Sequence, residues 1–473
     1  MPVQRKQQLL GAIETSEGVA ASLSASDAVQ VFEPSISDTV EVQDRVPAGP
    51  TLSRDFAPIG RQTRQVQFRS DFRGSGDTSI PVTEPDWAKF LQPCGYKTGV
   101  VRKLTCGAVT GSGFQVGEIV SQSAGAIRGV VLAVTRAGAP LQRATASGDL
   151  VVVATIVGTL TTAATTGESS ASTSTMSAAA AHEGLVYQPT SEKLVNVTTG
   201  AWTGTIPAGA GEVLLVESPT GTPVGMVQVI NNNGSMLDMD VTLLQGVMAN
   251  GNTLRSAADG TATISAAPTQ IRTPSLTIRH NLDGRQRDLL GARGDWTLEG
   301  ESGQPMQFSW TFTGDVGPAV DAPAIATTGL STIRPPRLLG AICAYGLAEN
   351  SHRIATKRVS IANQGTVSPN LDANRAGGST GSNITDRNPT ITVTVDQVHG
   401  GFDWEAARDA GTVVRFAVLL GSALGNMMAV VAPICQVTEV ALSDSDGIAT
   451  FDVTLAPRRI LESGDDDLFL AQI

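Results

Sequence analysis

Few residues in this 473-residue chain have the types and spacing that chemistry requires. Gly377-Gly378-Ser379-Thr380-Gly381 matches GxSxG, the pattern of an acyl-transfer serine. That motif works only between a buried strand and a helix, whose sharp junction lifts the hydroxyl clear of the backbone. Here Asn374-Arg375-Ala376 precedes it and Ser382-Asn383-Ile384 follows, so the composition points to a flexible loop. His182, His280, His352 and His399 show neither i,i+4 pairing nor metal-ligand spacing. Asp444-Ser445-Asp446-Gly447 resembles a calcium loop but lacks the third acid and the closing Glu, and reads as a hairpin turn. Asp465-Asp466-Asp467 reads as a solvated acidic cluster. Trp87 and Trp404 could stack on a sugar or base; at a helix start beside Phe90 or Phe402 they read instead as core anchors. No Gly-rich phosphate loop ending in Lys-Ser or Lys-Thr is present. The expectation is a non-enzyme with no catalytic residues, no cofactor and no metal.

Composition agrees with a structural role. Charged residues make up 16% and aromatics 4%, against 50 Gly, whereas ordinary soluble proteins carry about 25% charged residues. Much of the surface must then be Ser, Thr, Ala and Gly, which suits a β-rich particle component. The net charge of −11 argues against sequence-independent nucleic-acid binding, because an acidic chain cannot release counterions from phosphates. Cys94, Cys106, Cys343 and Cys435 lie far apart without CxxC spacing, so they read as small buried hydrophobes rather than disulfides. Arg5 and Lys6 could open a secretory signal, but Glu14 and Glu17 cut off the apolar run. The longest apolar stretch, Leu150 to Leu160, is about half a bilayer span. A soluble protein made in a reducing cytoplasm is expected.

Internal repetition is the most informative feature. A strand over Ile391–Val398 is followed by FDWEAARDAG, where Asp403 can cap a short helix closed by Gly411. Strand-like segments follow at Val413–Leu420, Met427–Val431, Gln436–Leu442 and Ile448–Leu455. The same order appears earlier: Val66–Phe72, then PDWAKFLQPCG, then Leu276–Asn281, Gln286–Leu290, Trp296–Glu299 and Met306–Thr313. The first copy is interrupted over about residues 107–268. Within the interruption, Gly117-Glu118-Ile119-Val120 before Gly129–Val134 resembles Gly211-Glu212-Val213-Leu214 before Gly225–Ile230, which predicts two small β-modules. Thr159–Ala181 between them reads as a low-complexity linker or loop. Two further stretches, Asp44–Gln62 and Asn370–Asn388, read as long irregular loops at matching places, and hence as interaction arms.

QQLLGAIETSEGVAASLSASDAVQVFEPSIS (residues 7–37), PDWAKFLQPCGY (85–96), PSLTIRHNLDGRQRDLLGARGDWTLEGESGQPMQFSWTFTG (274–314), ITDRNPTITVTVDQV (384–398) and FDWEAARDAG (402–411) carry a family resemblance. The chain resembles the major tail tube proteins of long non-contractile-tailed, siphovirus-type bacteriophages, in their duplicated form. The resemblance implies a mainly β fold with two tail-tube-like β-barrel or sandwich domains, each with a short helix. These would be residues 1–106 plus 269–329 and residues 330–473, with 107–268 as an inserted β decoration region outside the tube. It implies homotrimeric, pseudo-hexameric rings stacked into a tube in the virion tail, assembled in the host cytoplasm. The partners implied are further copies of the chain and the tape measure, terminator and distal tail proteins. DNA would pass transiently without specific binding, and no membrane is involved. The loops and the N-terminal arm would bind the neighbouring ring.

A conduit must not hold DNA, and an acidic wall repels phosphates. Asp71 and Asp396 on the matching strands, with Asp295, Glu299, Glu439 and Asp452 on the hairpins, are the candidates to line the channel. Alternation alone leaves open which strand face that is, and solvation of the outer wall is the competing reading for each. The rival functions are a tail terminator or neck ring protein, and a tail-associated adhesion (receptor-binding) protein. A depolymerase would need solenoid rungs and paired carboxylates in a groove, which the sequence lacks.

Overall fold

The computed structural model describes residues 6–473 other than 15–16, 44–55, 79–82, 158–159, 191–193, 205–212, 232–237, 247, 257–258, 267–268, 271–273, 328–329, 331, 346–353, 376, 398–401, 446 and 462–463. The fold is mainly β, with two short α-helices among the described residues. The first copy opens with β1 (Gln7–Ile13), β2 (Phe32–Val42), β3 (Ile59–Asp71) and α1 (Ala88–Leu91). In β3, Val66, Phe68 and Ser70 turn to the core while Gln67 and Arg69 turn out, as the two-residue period of a strand requires.

The chain then leaves the first copy. Strands β4 (Tyr96–Cys106), β5 (Ile119–Gln122), β6 (Ile127–Arg136), β7 (Leu150–Val157), β8 (Ala164–Gly167) and β9 (Thr173–Pro189) form a closed 6-strand barrel. Its order is β4–β7–β6–β5–β8–β9 and back to β4. Next come β10 (Leu194–Thr198), β11 (Val213–Glu217), β12 (Pro223–Asn231), β13 (Asp238–Gly246), β14 (Thr253–Arg255), β15 (Thr261–Thr263) and β16 (Thr269–Gln270). They pair as β16–β10–β13–β12–β11–β14–β15, the strand order of the first barrel. Thr203 bridges Thr261 in this unit as Thr110 bridges Thr173 in the first. The expected pair of small β-modules is therefore present, although Gly211 and Glu212 of the sequence match lie outside the described residues.

The first copy resumes with β17 (Leu276–Leu282), β18 (Arg285–Glu301) and β19 (Gln307–Asp321). The second consists of β20 (Ile342–Tyr345), β21 (Thr356–Ala362), the hairpin β22 (Gly365–Leu371) and β23 (Ser379–Arg387), β24 (Thr390–Asp396), α2 (Trp404–Asp409), β25 (Val413–Leu420), β26 (Met428–Ser445), β27 (Ile448–Pro457) and β28 (Phe469–Gln472). The two copies share their registers. Val66, Phe68, Ser70 and Asp71 face Phe312, Trp310, Phe308 and Gln307; Ile391, Val393, Val395 and Asp396 face Leu455, Val453, Phe451 and Thr450. The copies join edge to edge, β18 pairing with β21, in one sheet of order β2–β3–β19–β18–β21–β24–β27–β26.

Three expectations are corrected. Thr159–Ala181 is no linker: it supplies β8 and the first half of β9, because its hydroxyls alternate inward and find partners. Thr165 Oγ1 accepts from Gln122 Nε2 at 2.7 Å, and Ser172 Oγ accepts from the Gly113 amide at 2.8 Å. Asn370–Asn388 is no irregular arm. It lies largely in the β22–β23 hairpin, which folds back on the first copy: Ser379 Oγ and the Gly381 amide donate to Asp315, and Arg293 donates to the Ser382 carbonyl. The matching stretch Asp44–Gln62 is described from residue 56, and Ile59–Gln62 begins β3. The N-terminal segment from Gln7 is a strand paired with β17 rather than a free arm.

The first barrel is also stitched into the main body. Leu185–Tyr187 of β9 pair with Leu470–Gln472 of β28, and its core runs on into Ala417, Leu419, Val431 and Phe469 of the second copy. The second β-module has a core of its own, around Val197, Leu214, Val227, Met239 and Leu254.

Candidate functional face

Each copy buries one face of its sheet. Trp296, Leu298, Phe308 and Trp310 point into the core from β18 and β19, as do Val393, Val453 and Leu455 from β24 and β27. Alternation then sends the intervening residues to the opposite face. Asp71, Asp295, Glu299, Asp396, Glu439 and Asp452 all fall on this second face. The structure thus gathers the candidates read singly from the sequence onto one surface spanning both copies.

The surface is built largely of hydroxyls and acids. Thr297, Ser309 and Thr311 continue it in the first copy, and Thr392, Thr394 and Thr454 in the second, all half-buried. Asp71 is buried and accepts from Gln307 Nε2 at 2.9 Å. Asp295 accepts from Asn363 Nδ2 at 2.7 Å, a bond that crosses between the copies. Glu299 also reaches across, to Arg358 at 3.0 Å and Ser360 at 3.3 Å. Asp396 lies 3.3 Å from Lys357 Nζ, and Asp452 accepts from Thr394 Oγ1 at 2.6 Å. Glu439 is exposed. Glu301 joins these acids, while the cations that reach the face include Arg69, Arg358 and Lys357; Arg293 shares the alternation of Asp295 but is buried under the β22–β23 hairpin. Arg358 is spent on Glu299, and Arg69 sits 3.7 Å from Glu33. Among the described residues no continuous basic stripe runs across the surface.

The other candidates resolve locally. Ser379 begins strand β23 at the end of a hairpin turn and bonds to a carboxylate, so it lacks the strand-turn-helix setting of a nucleophile. The Gly447 amide donates to Asp444 at 3.0 Å in the β26–β27 turn; Asp446 lies outside the described residues. The acidic cluster is corrected: Asp466 is buried, accepting from the Ile460 and Leu461 amides at 2.8 Å each, and Asp467 pairs with Arg387 at 2.7 Å. Burial pushes the Asp466 carboxyl above its usual range, and these two amides oppose the shift. Trp87 and Trp404 are core residues. His280 is buried, with its Nε2 3.0 Å from Gln7 Oε1, and burial followed by the nearby Arg287 charge holds its pKa down, while His352 and His399 lie outside the described residues. Among the described residues no group of three or more His, Cys, Asp or Glu could hold a metal, and no helix is long and apolar enough to cross a membrane.

Sequence reasoning missed the β22–β23 hairpin and the partners of Asp466 and Asp467. For the hairpin the signal was there: Val367 and Ile384 are its apolar cross-strand pair, spaced across a Gly- and Asn-rich turn. No protein-family model matches the chain, and no curated protein does.

Proposed function

We propose that the chain is a structural tube subunit, of the kind formed by the major tail tube proteins of long non-contractile-tailed bacteriophages. The observation that carries this reading is the junction between the copies. Two units of the same register meet edge to edge, β18 on β21, rather than face to face about a two-fold axis. Such head-to-tail contacts repeat, and they close into rings when the rotation allows. Ring closure also disposes of sheet edges, which are a liability in a monomer. Six domains per ring, two from each chain, correspond to a homotrimer.

The polar face fits the inside of such a ring. Its acids repel phosphates, and its Arg358 and Lys357 are already paired with Glu299 and Asp396, so DNA can pass without being held. Stacked rings would form the tube in the virion tail, meeting the tape measure, terminator and distal tail proteins at its ends. No catalysis, cofactor or membrane enters this role. Negative-stain imaging of the purified protein tests it. Hollow tubes of stacked rings with three chains each are expected; compact particles without a lumen, or six full chains per ring, would overturn it.

A further inference from the structure

The junction inside the chain specifies a second junction between chains. In the first, Thr297, Leu298 and Glu299 of β18 pair with Ala362, Ile361 and Ser360 of β21. The duplication assigns each a counterpart. Leu298 faces Phe308, as Leu442 of β26 faces Phe451. Ile361 faces Ile391, as Ile36 of β2 faces Val66. Yet their surroundings differ. Leu298 and Ile361 are each 0% exposed, whereas Leu442 is 70% exposed and Ile36 is half-buried. Among the described residues, the outer edges of β2 and of the Val437–Ser445 part of β26 carry no strand partner.

A second contact shows the same asymmetry. Ile384, paired with Val367 in the hairpin, packs over Gly95, the left-handed residue that ends the first helical segment: a Cβ there would lie 3.5 Å from Ile384 Cδ1. The counterpart pair is Val42 and Ile59, which face each other at 60% and 69% exposure. The counterpart glycine, Gly411 after α2, has φ +63 and nothing within 4 Å of its Cβ position. Two apolar residues are thus uncovered on one side of the molecule, and the place that would receive them is open on the other.

We infer that the β26 edge of one chain adds antiparallel to the β2 edge of a second copy, with Ala441, Leu442 and Ser443 opposite Ser37, Ile36 and Ser35. Val42 and Ile59 of that second copy cover Gly411 of the first. The partner is another copy because each open edge is the counterpart of the edge that its opposite already binds within the chain. The pairing rests on the ring reading only for the number of copies it links.

Cysteine pairs test it. An Ile36→Cys/Leu442→Cys variant, oxidised at high protein concentration, should give a ladder of disulfide-linked chains on a non-reducing gel, ending at three. The native chain supplies the background of its own four cysteines. Ile36→Cys/Val440→Cys should cross-link at least about tenfold less, since diagonal neighbours lie beyond disulfide reach. Leu442→Glu, at an exposed site, should keep the fold and lose the oligomer. Three results would each overturn the pairing: a monomer at the highest soluble concentration, equal cross-linking by both pairs, or self-linking by Leu442→Cys alone, the mark of a two-fold contact. Cross-linked chains that never build a lumen would defeat the tube reading and leave the pairing intact. Tubes lacking the 36–442 disulfide would do the reverse.

Discussion

The two copies reach one backbone pattern with different cores. In the first, Phe68, Phe90, Phe308, Trp310 and Phe312 form a ring cluster, with Phe308 and Trp310 at 4.6 Å and Phe68 and Phe90 at 5.0 Å. At the matching positions the second has Val393, Phe451, Val453 and Leu455, and the aromatic contacts described in it join Tyr345, Phe402, Trp404 and Phe416. Register is therefore set by alternation and pairing, while side-chain volume is settled separately within each core. The first copy even borrows a ring from the insertion: Tyr187 of β9 meets Trp87 at 5.1 Å. The second closes over Trp404 with its own Phe402, at 4.7 Å.

That borrowing gives the largest expected effect. Replacing residues 107–268 with a short Gly/Ser linker should abolish cooperative unfolding. It removes Tyr187, worth on the order of 3–5 kcal/mol as a buried aromatic, together with the β9–β28 pairing. Replacing only residues 194–270, a unit with its own core, should leave the melting temperature nearly unchanged. Survival of a sharp thermal transition in the longer replacement would show that the first copy does not need the borrowed ring.

The contrast between cores comes next. Trp310→Ala should cost about 3–5 kcal/mol, and Val453→Ala about 1.5–2 kcal/mol for the two methyl groups lost. Urea unfolding followed by tryptophan fluorescence and far-ultraviolet dichroism measures both; equal costs would break the comparison. The helices differ more modestly. Asp403 caps α2, its Oδ1 accepting from the Ala406 amide at 2.9 Å, and Asp403→Ala should cost about 1 kcal/mol. Trp87 precedes α1 without a side-chain cap, and Asp86 instead pairs with the buried Arg73 at 2.8 Å. Asp86→Ala should cost about 2 kcal/mol by stripping a buried donor of its partner. The reverse order would mean that the Asp403 cap contributes more at α2 than the Arg73 pair does at α1.

The smallest effect separates Asp38 from its counterpart Asn363. Arg64 holds the Asp38 carboxyl below its ordinary value of 3.8. A lowered folded-state pKa contributes stability that is present above 3.8 and lost as pH falls through the lower value. The pair is partly exposed, so Asp38→Asn should cost under about 1 kcal/mol at neutral pH. The difference from the native chain should shrink as pH drops below 3.8 and vanish once pH is below the lowered folded-state value. Asn363 occupies the counterpart position without a carboxylate of its own; a cost for Asp38→Asn that persists in acid would assign the Asp38 effect to packing.

Much of this architecture was legible in the chain. The paired Asp-Trp segments, the alternating runs around Phe68, Trp310, Val393 and Val453, and the Asp-Ser-Asp-Gly turn placed the strands, helices and hairpins of both copies in order. They do so because a strand exposes its period and a turn its residue types locally. Thr159–Ala181 escaped because Ser, Thr and Ala alternate with too little contrast in hydrophobicity to reveal an inward face. Asp466 and Asp467 escaped because their partners, the Ile460 and Leu461 amides and Arg387, come together only in the folded chain.

The sequence by itself determined the duplication, the β character and the six acids at alternating positions. Only the tertiary structure decided that those acids share one face, that the first barrel is bound into the second copy, and that Leu298 is covered while Leu442 is open. The physical reason is the same in each case. Alternation defines two faces of a strand without saying which is buried, and an edge is identical in sequence terms whether or not another strand has been added to it.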